Sequence, residues 1–308
     1  VENKLPKIIV VLGPTASGKT DLALRLAKKY NGEIVSADSR QVYKKMNIGT
    51  AKPPGEWKDG VYVVEGVPHY MMDIVNPDED FSLADFKTQA TASIENILKK
   101  KKLPIIVGGT GLYIWTLVDN LDIPSVKPDL RLRTELEKNS LSELVLQLQE
   151  LDPQTAEKID VKNPRRVLRA LEVAISSGQS FVAQQTKSEP LFNALQIGIN
   201  ILKEDLDIRI EKRVGMQMRD GLLAETETLQ ASGYDWNLPS MSGIGYRQIG
   251  YYLQDKMSLS EAVETLKTDT KKYAKRQITW FKRDKRIHWI KNDDKEKTEE
   301  LIENFLKS

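Results

Sequence analysis

Residues 13–20 read Gly13-Pro14-Thr15-Ala16-Ser17-Gly18-Lys19-Thr20, a full match to G-x-x-x-x-G-K-[ST], and no other stretch restricts the fold as much. It follows the β-branched apolar run Ile8-Ile9-Val10-Val11-Leu12 and leads into Leu22, Ala23, Leu26 and Ala27 at helical spacing. A strand, a glycine loop and a helix in that order make a phosphate loop. Its backbone N–H groups converge on an anion, and the helix N-terminus adds its positive end. Lys19 is expected at the outer phosphate oxygens, and the Thr20 hydroxyl at a Mg²⁺ ion. The predicted core is therefore α/β, a parallel sheet flanked by helices in the manner of P-loop NTPases. It binds a polyphosphate whose identity the loop alone leaves open.

A chain of 308 residues, 40% apolar and 29% charged, suits one large or two modest globular domains. With a net charge of +2, any preference for nucleic acid must come from local clusters. The absence of cysteine excludes disulfides, thiolate catalysis and cysteine-bound zinc. With only His69 and His288, a histidine-rich metal site is not expected either. There is no signal peptide and no apolar run of spanning length, so the expectation is a cytoplasmic protein without a membrane partner. The sequence starts at Val1, and an initiator or tag is expected to have been trimmed.

Glu33-Ile34-Val35-Ser36-Ala37 reads as a second strand, followed by Asp38-Ser39-Arg40-Gln41-Val42-Tyr43. Residues just past a strand end line the ligand crevice of an open α/β sheet, so Asp38 should face the phosphate loop. An Asp at such a junction also makes a good helix N-cap, and both readings stand. Asn47 to Pro53 is a glycine- and proline-broken loop in which Lys52 reads as solvated. Residues 68–75 read as a strand or strand entry, with His69 a satisfied structural histidine. Ser82 opens a helix through a capping box with Asp85, and Phe86, Ala90, Ile94, Ile97 and Leu98 recur along it. Leu103 to Val107 is a buried parallel strand leading to Gly108-Gly109-Thr110-Gly111. Nucleotide hydrolases place a magnesium-holding Asp near such a strand end. A Thr stands here, and no Asn-Lys-x-Asp guanine reader exists, so something other than nucleotide hydrolysis is indicated.

From Pro124 the texture changes. Pro124 and Pro128 frame a linker, and charged helical segments with turn punctuation at Asp152-Pro153 and Asn163-Pro164 follow to about residue 190. This reads as an all-helical insertion, 124–190, in a core built from 1–123 and 191–308. The core resumes with a strand at 194–199 and a helix carrying Arg209 and Arg213 on one face. A glycine-bracketed turn holds Tyr246, Arg247 and Gln248. Lys271 to Arg283 is the densest basic patch, with interleaved aromatics. It suits phosphate contact and base stacking, or a solvated face whose aromatics point into the core.

Together these segments resemble the tRNA dimethylallyltransferase (tRNA isopentenylpyrophosphate transferase) family. The similarity rests on seven motifs in family order: residues 13–20, Ala37-Asp38-Ser39 with Gln41-Val42-Tyr43, Ile48 to Pro53, Gly108 to Tyr113, Asn163-Pro164-Arg165-Arg166, Gly245-Tyr246-Arg247-Gln248 and Lys275 to Trp280. The resemblance implies transfer of a dimethylallyl group from dimethylallyl pyrophosphate to the exocyclic amine of the adenine 3′-adjacent to the anticodon. The polyphosphate is then a leaving group, which accounts for the missing hydrolytic companions. The absence of a cysteine/histidine finger tail implies a bacterial type. The implied partner is a tRNA anticodon stem-loop, and a monomer is expected.

The family's pattern assigns Asp38 as the base that takes the amine proton and Thr110 as an anchor of the reacting centre. It places an arginine after the insertion at the diphosphate, matched by Arg213 with Arg209 as substitute. It turns the target base out of its stack, with Asp38, Ser39, Arg40 and Gln41 on the tRNA side. The insertion becomes a mobile tRNA grip, with Arg131, Arg165, Arg166 and Arg169 on RNA. Gly245, Tyr246, Arg247 and Gln248, with Lys275 and Arg276, complete the implied RNA contacts. The rivals are an adenylate isopentenyltransferase acting on free nucleotide, a P-loop small-molecule kinase, and a non-catalytic RNA-binding module. The long insertion and basic carboxyl-terminal segment disfavour the first, and the missing Asp after Val107 the second.

Overall fold

The structure is a computed structural model, and it describes residues 4–124, 126, 129–291 and 293–308. Pro128, expected to frame the linker, lies outside them. The strands are β1 (Lys7–Leu12), β2 (Gly32–Ala37), β3 (Glu56–Lys58), β4 (Val61–Val64), β5 (Val67–Tyr70), β6 (Leu103–Gly108), β7 (Asn193–Asn200) and β8 (His288–Lys291). They form one sheet in the order β3-β4-β5-β2-β6-β1-β7-β8. From β5 to β8 the pairing is parallel, whereas β3, β4 and β5 form an antiparallel meander at one edge. The sheet is thus mixed and mostly parallel. The meander was not read from the sequence, because β3 is three exposed residues and β4 only four.

Alternation along β1 sends side chains to both faces. Ile9 and Val11 join a core with α1 (Lys19–Lys29) and Ile302 of α12 (Lys295–Lys307). Ile8, Val10 and Leu12 join the opposite core with α2 (Leu83–Lys99), α3 (Gly111–Val118) and Phe281 of α11 (Leu259–Phe281). Both faces are covered, as a parallel sheet of near-continuous apolar strands requires. The capping box at Ser82 is present, its hydroxyl accepting from Asp85 N and its own N–H donating to the Asp85 carboxylate. A third apolar cluster unites α8 (Lys203–Arg219), α9 (Leu222–Ala231), α10 (Tyr246–Leu253) and α11 with Val42, Tyr43 and Met46.

The chain divides into two compact units, one of Val1–Val118 with Leu191–Ser308, the other Asp119–Pro190. The second begins earlier than residue 124 because its entering and leaving segments meet in an isolated antiparallel bridge, Leu121 opposite Lys187. Asp122 N donates to Thr186 O, and Ser188 N to Asn120 O. Within it, α4 (Leu130–Leu136), α5 (Leu141–Leu151), α6 (Pro153–Lys158) and α7 (Pro164–Ser177) enclose Leu144, Leu148, Val167, Ala170 and Leu171. Pro164 opens α7 behind the Asn163 cap, and Gly178 closes it in the left-handed conformation. Among the described residues no helix is long and apolar enough to cross a membrane.

Candidate active site

Register brings the site together. Leu12 of β1 and Ala37 of β2 both pair with Gly108 of β6, so three carboxyl ends stand in one row. The next residues outward are Gly13, Asp38 and Gly109. Because the chain leaves β1 toward β2 on one side and leaves β6 toward β7 on the other, this is the crevice in which open α/β sheets bind ligands. One pocket occupies it, lined from the phosphate loop by Thr15, Ala16, Gly18, Lys19 and Thr20, and from the facing strand end by Asp38 and Gln41. Arg213 of α8 and Tyr273 of α11 close further sides.

Gly18 holds φ +89° at the N-cap of α1, a left-handed value that lets the loop turn without a Cβ penalty. The Lys19 ammonium donates to Pro14 O at 3.2 Å. Its low-dielectric surroundings push its pKa down to about 8, with Asp38 acting to raise it and Arg213 to lower it further. Arg213 donates from Nη1 to Thr15 Oγ1 at 3.2 Å, and burial also draws its guanidinium below its ordinary value. Arg209 donates to Ser17 O at 3.3 Å. Of the two arginines, Arg213 is the one that lines the pocket. Ser17 Oγ is buried against Gly13, outside the pocket lining, and has no partner among the described residues.

Across the crevice, Asp38 Oδ1 accepts from Arg40 N at 2.9 Å, so the carboxylate organises its own turn while facing the pocket. The helix-cap reading is corrected: no helix follows β2, and Asp38 opens a turn instead. Thr110 Oγ1 accepts from Ser39 N at 3.1 Å, and Thr110 N donates to Ala37 O, tying the β6 end to the β2 end. The Gln41 amide accepts from Ser36 Oγ at 3.0 Å and points Nε2 toward the Thr50 and Ala51 carbonyls. The Arg40 guanidinium donates to Pro239 O at 2.6 Å.

No group of three or more carboxylate or histidine ligands gathers among the described residues. The pocket instead offers the Thr20 hydroxyl and few acidic groups, Asp21 and Asp38. That donor set fits Mg²⁺, which keeps several waters and binds through one or two protein oxygens plus substrate phosphates.

Several expectations are corrected. Tyr246 and Gln248 are buried at the start of α10, beside buried Gly245, and so present no RNA-contacting surface. Tyr246 Oη donates to Glu225 at 2.6 Å; Glu225 in turn accepts from the N–H groups of Asn47, Ile48 and Gly49. Gln248 bonds Gly245 N and Asp269. Both residues brace the loop and helix packing from inside. Arg247 is half-exposed and pairs with Asp269. Lys52 is not solvated: its buried ammonium bonds Asp73, Tyr43 O and Asn47 Oδ1. Arg169 is held within the second unit by buried Glu172 and Val126 O, whereas Arg131, Arg165 and Arg166 of that unit are exposed. Lys275 and Arg276 lie exposed on α11, while Tyr273 and Trp280 turn inward. A Tyr246→Phe variant should lose about 1.5–3 kcal/mol of stability in denaturant titration, the range for a hydrogen bond to a charged group. Its tRNA affinity should stay within about twofold of wild type, a filter-binding result that checks the buried role.

Two pocket residues escaped the sequence reading. Gln277 accepts from Thr15 N at 2.8 Å and donates to Gly109 O at 2.9 Å. Its place on the inner face of α11 is legible only as one of two polar residues, with Thr270, in a mostly apolar helical stripe. His69 was read as satisfied. Nδ1 does meet its own strand's Val67 O at 2.9 Å, but buried Nε2 has no partner among the described residues, and the ring lines the pocket.

Comparison with known proteins places this arrangement. The family model "IPP transferase" matches residues 41–284, and an "Isopentenyl transferase" model matches residues 6–61. A tRNA dimethylallyltransferase of Acetivibrio thermocellus is 46% identical, over 98% of this chain and 96% of that protein. One from Bacillus cereus is 44% identical over 96% and 93%. The crystal structure of the tRNA isopentenylpyrophosphate transferase of Staphylococcus epidermidis aligns with a TM-score of 0.67 at 37% identity, covering 98% of each chain. A eukaryotic dimethylallyltransferase acting on tRNA aligns at 0.77 and 30%, covering 94% of this chain and 74% of its own. With its strand-end crevice, its phosphate loop and a family model matched over most of its length, the chain belongs to the IPP transferase family, that of the tRNA dimethylallyltransferases.

Proposed function

We propose that this chain transfers a dimethylallyl group from dimethylallyl pyrophosphate to the exocyclic amine of the adenine 3′-adjacent to the anticodon in tRNA. The observation carrying this reading is that Lys19 and Arg213 on the anion side and Asp38 on the facing strand end line one pocket. In the transfer, the bond from allylic carbon to diphosphate oxygen breaks, and its electron pair leaves with the diphosphate. The adenine nitrogen bonds that carbon and gives up a proton.

The loop N–H groups, Lys19 and Arg213 meet the charge that grows on the departing oxygens. Mg²⁺ held at Thr20 would neutralise part of that diphosphate charge. Asp38 accepts the amine proton, which matters because the amine's lone pair is delocalised into the ring. Thr110 holds the Asp38 turn through Ser39 N. The anticodon-loop base must leave its stack to reach this crevice. Arg131, Arg165, Arg166, Lys275 and Arg276, all exposed, then serve the RNA backbone.

The test offers radiolabelled dimethylallyl pyrophosphate with unmodified tRNA, with free AMP, or alone, and γ-labelled ATP in parallel. Label should enter tRNA only. Label in AMP would make this an adenylate isopentenyltransferase, and phosphoryl transfer from ATP to a small molecule would make it a kinase.

A further inference from the structure

The helix that carries the basic patch also reaches into the crevice. Gln277 of α11 is buried on the face that holds Ala274 and Phe281. Its amide spans two loops: Oε1 accepts from Thr15 N in the phosphate loop, and Nε2 donates to Gly109 O in the turn before Thr110. The fit is close, since a Cβ at Gly109 would lie 2.2 Å from Gln277 Nε2. Thr15 is held from the other side too, its hydroxyl accepting from Arg213. Thr110 in turn holds Ser39 N, next to Asp38. One neutral amide thus stands between the anion cradle and the carboxylate side.

We infer that Gln277 is a positioning residue that sets the spacing between the phosphate loop and the Thr110 turn, and so between donor and acceptor. This rests on the transfer reading above. Donor carbon and acceptor nitrogen must meet at near-attack distance, and a 1 Å misplacement costs about 10²-fold in rate. An amide suits the place because it accepts at one end and donates at the other without bringing charge into the crevice. A carboxylate of the same shape accepts from Thr15 N but repels Gly109 O unless it is protonated.

Gln277→Glu and Gln277→Met, both of near-equal volume, test this in full-length protein with dimethylallyl pyrophosphate and tRNA. At about pH 8 each should lose about tenfold to hundredfold in kcat, with the KM for tRNA little changed. On lowering the pH to about 6, the kcat of the Glu variant relative to wild type should rise at least about fivefold, because its buried carboxyl takes up a proton and regains the donor. The Met variant's ratio should stay flat and low. Wild-type kcat within about twofold in the Met variant, or a flat ratio in the Glu variant, overturns the inference. Should the Glu variant fail to fold by circular dichroism, the Met variant decides alone. Wild type that modifies no tRNA defeats the transfer reading; active wild type with unaffected variants defeats only this one.

Discussion

Asp38→Asn should lower single-turnover transfer to tRNA by about 10²–10⁴-fold, the range for removing a general base. Its tRNA affinity should remain within about twofold by filter binding. Asn is the sharper substitution because its Oδ1 still accepts from Arg40 N, so the turn after β2 survives. Asp38→Ala loses that turn bond as well, and its additional loss over Asn reports the structural share of the residue. Turnover at the wild-type rate in either variant would remove Asp38 from the chemistry. Among the described residues the crevice would then hold no other carboxylate on the acceptor side, because Asp21 belongs to α1, on the side of the anion loop.

Lys19→Ala should cut kcat/KM for dimethylallyl pyrophosphate by about 10²–10³-fold, as loss of one preorganised charge at a leaving group does. The pH dependence gives this a second readout. Burial places the Lys19 pKa at about 8 in the free protein. The diphosphate binds the protonated ammonium, so wild-type kcat/KM for the donor should be full below that value. It should fall as pH rises through it, and kcat/KM reports the free enzyme. Lys19→Arg should abolish this alkaline limb, since a guanidinium stays charged throughout the range. Donor saturation that is indifferent to both substitutions would show that the diphosphate sits elsewhere.

The phosphate loop and the parallel core were legible because their signals are local: an apolar run of strand length, a glycine turn, a capped helix. Asp38 and Thr110 were legible as strand-end residues, and register places both beside the loop. What stayed hidden depends on contacts between distant segments. Tyr246 and Gln248 looked like an exposed turn, but whether an aromatic in a glycine turn points out or in depends on Glu225 and the loop it caps. Lys52 resembles any lysine in a broken loop until Asp73 folds over it. Gln277 lies far along the chain from both loops it joins, and no periodicity marks a polar residue as a bridge. The antiparallel meander escaped for another reason: strands of three and four residues carry too little pattern to separate from a loop.

The placement of β1 has an implication for how the chain is made. It lies in the middle of the sheet, yet its neighbour on one side, β7, is paired Lys7 to Asn193, across the whole helical insertion. During synthesis β6 can dock first, leaving the other flank of β1 an open hydrogen-bonding edge until the chain beyond residue 200 has left the ribosome. Such exposed edges template association between nascent chains. The insertion, with its own apolar centre, can fold while that edge waits. A chain released after residue 190 should therefore aggregate through β1, although every residue of the anion loop is present.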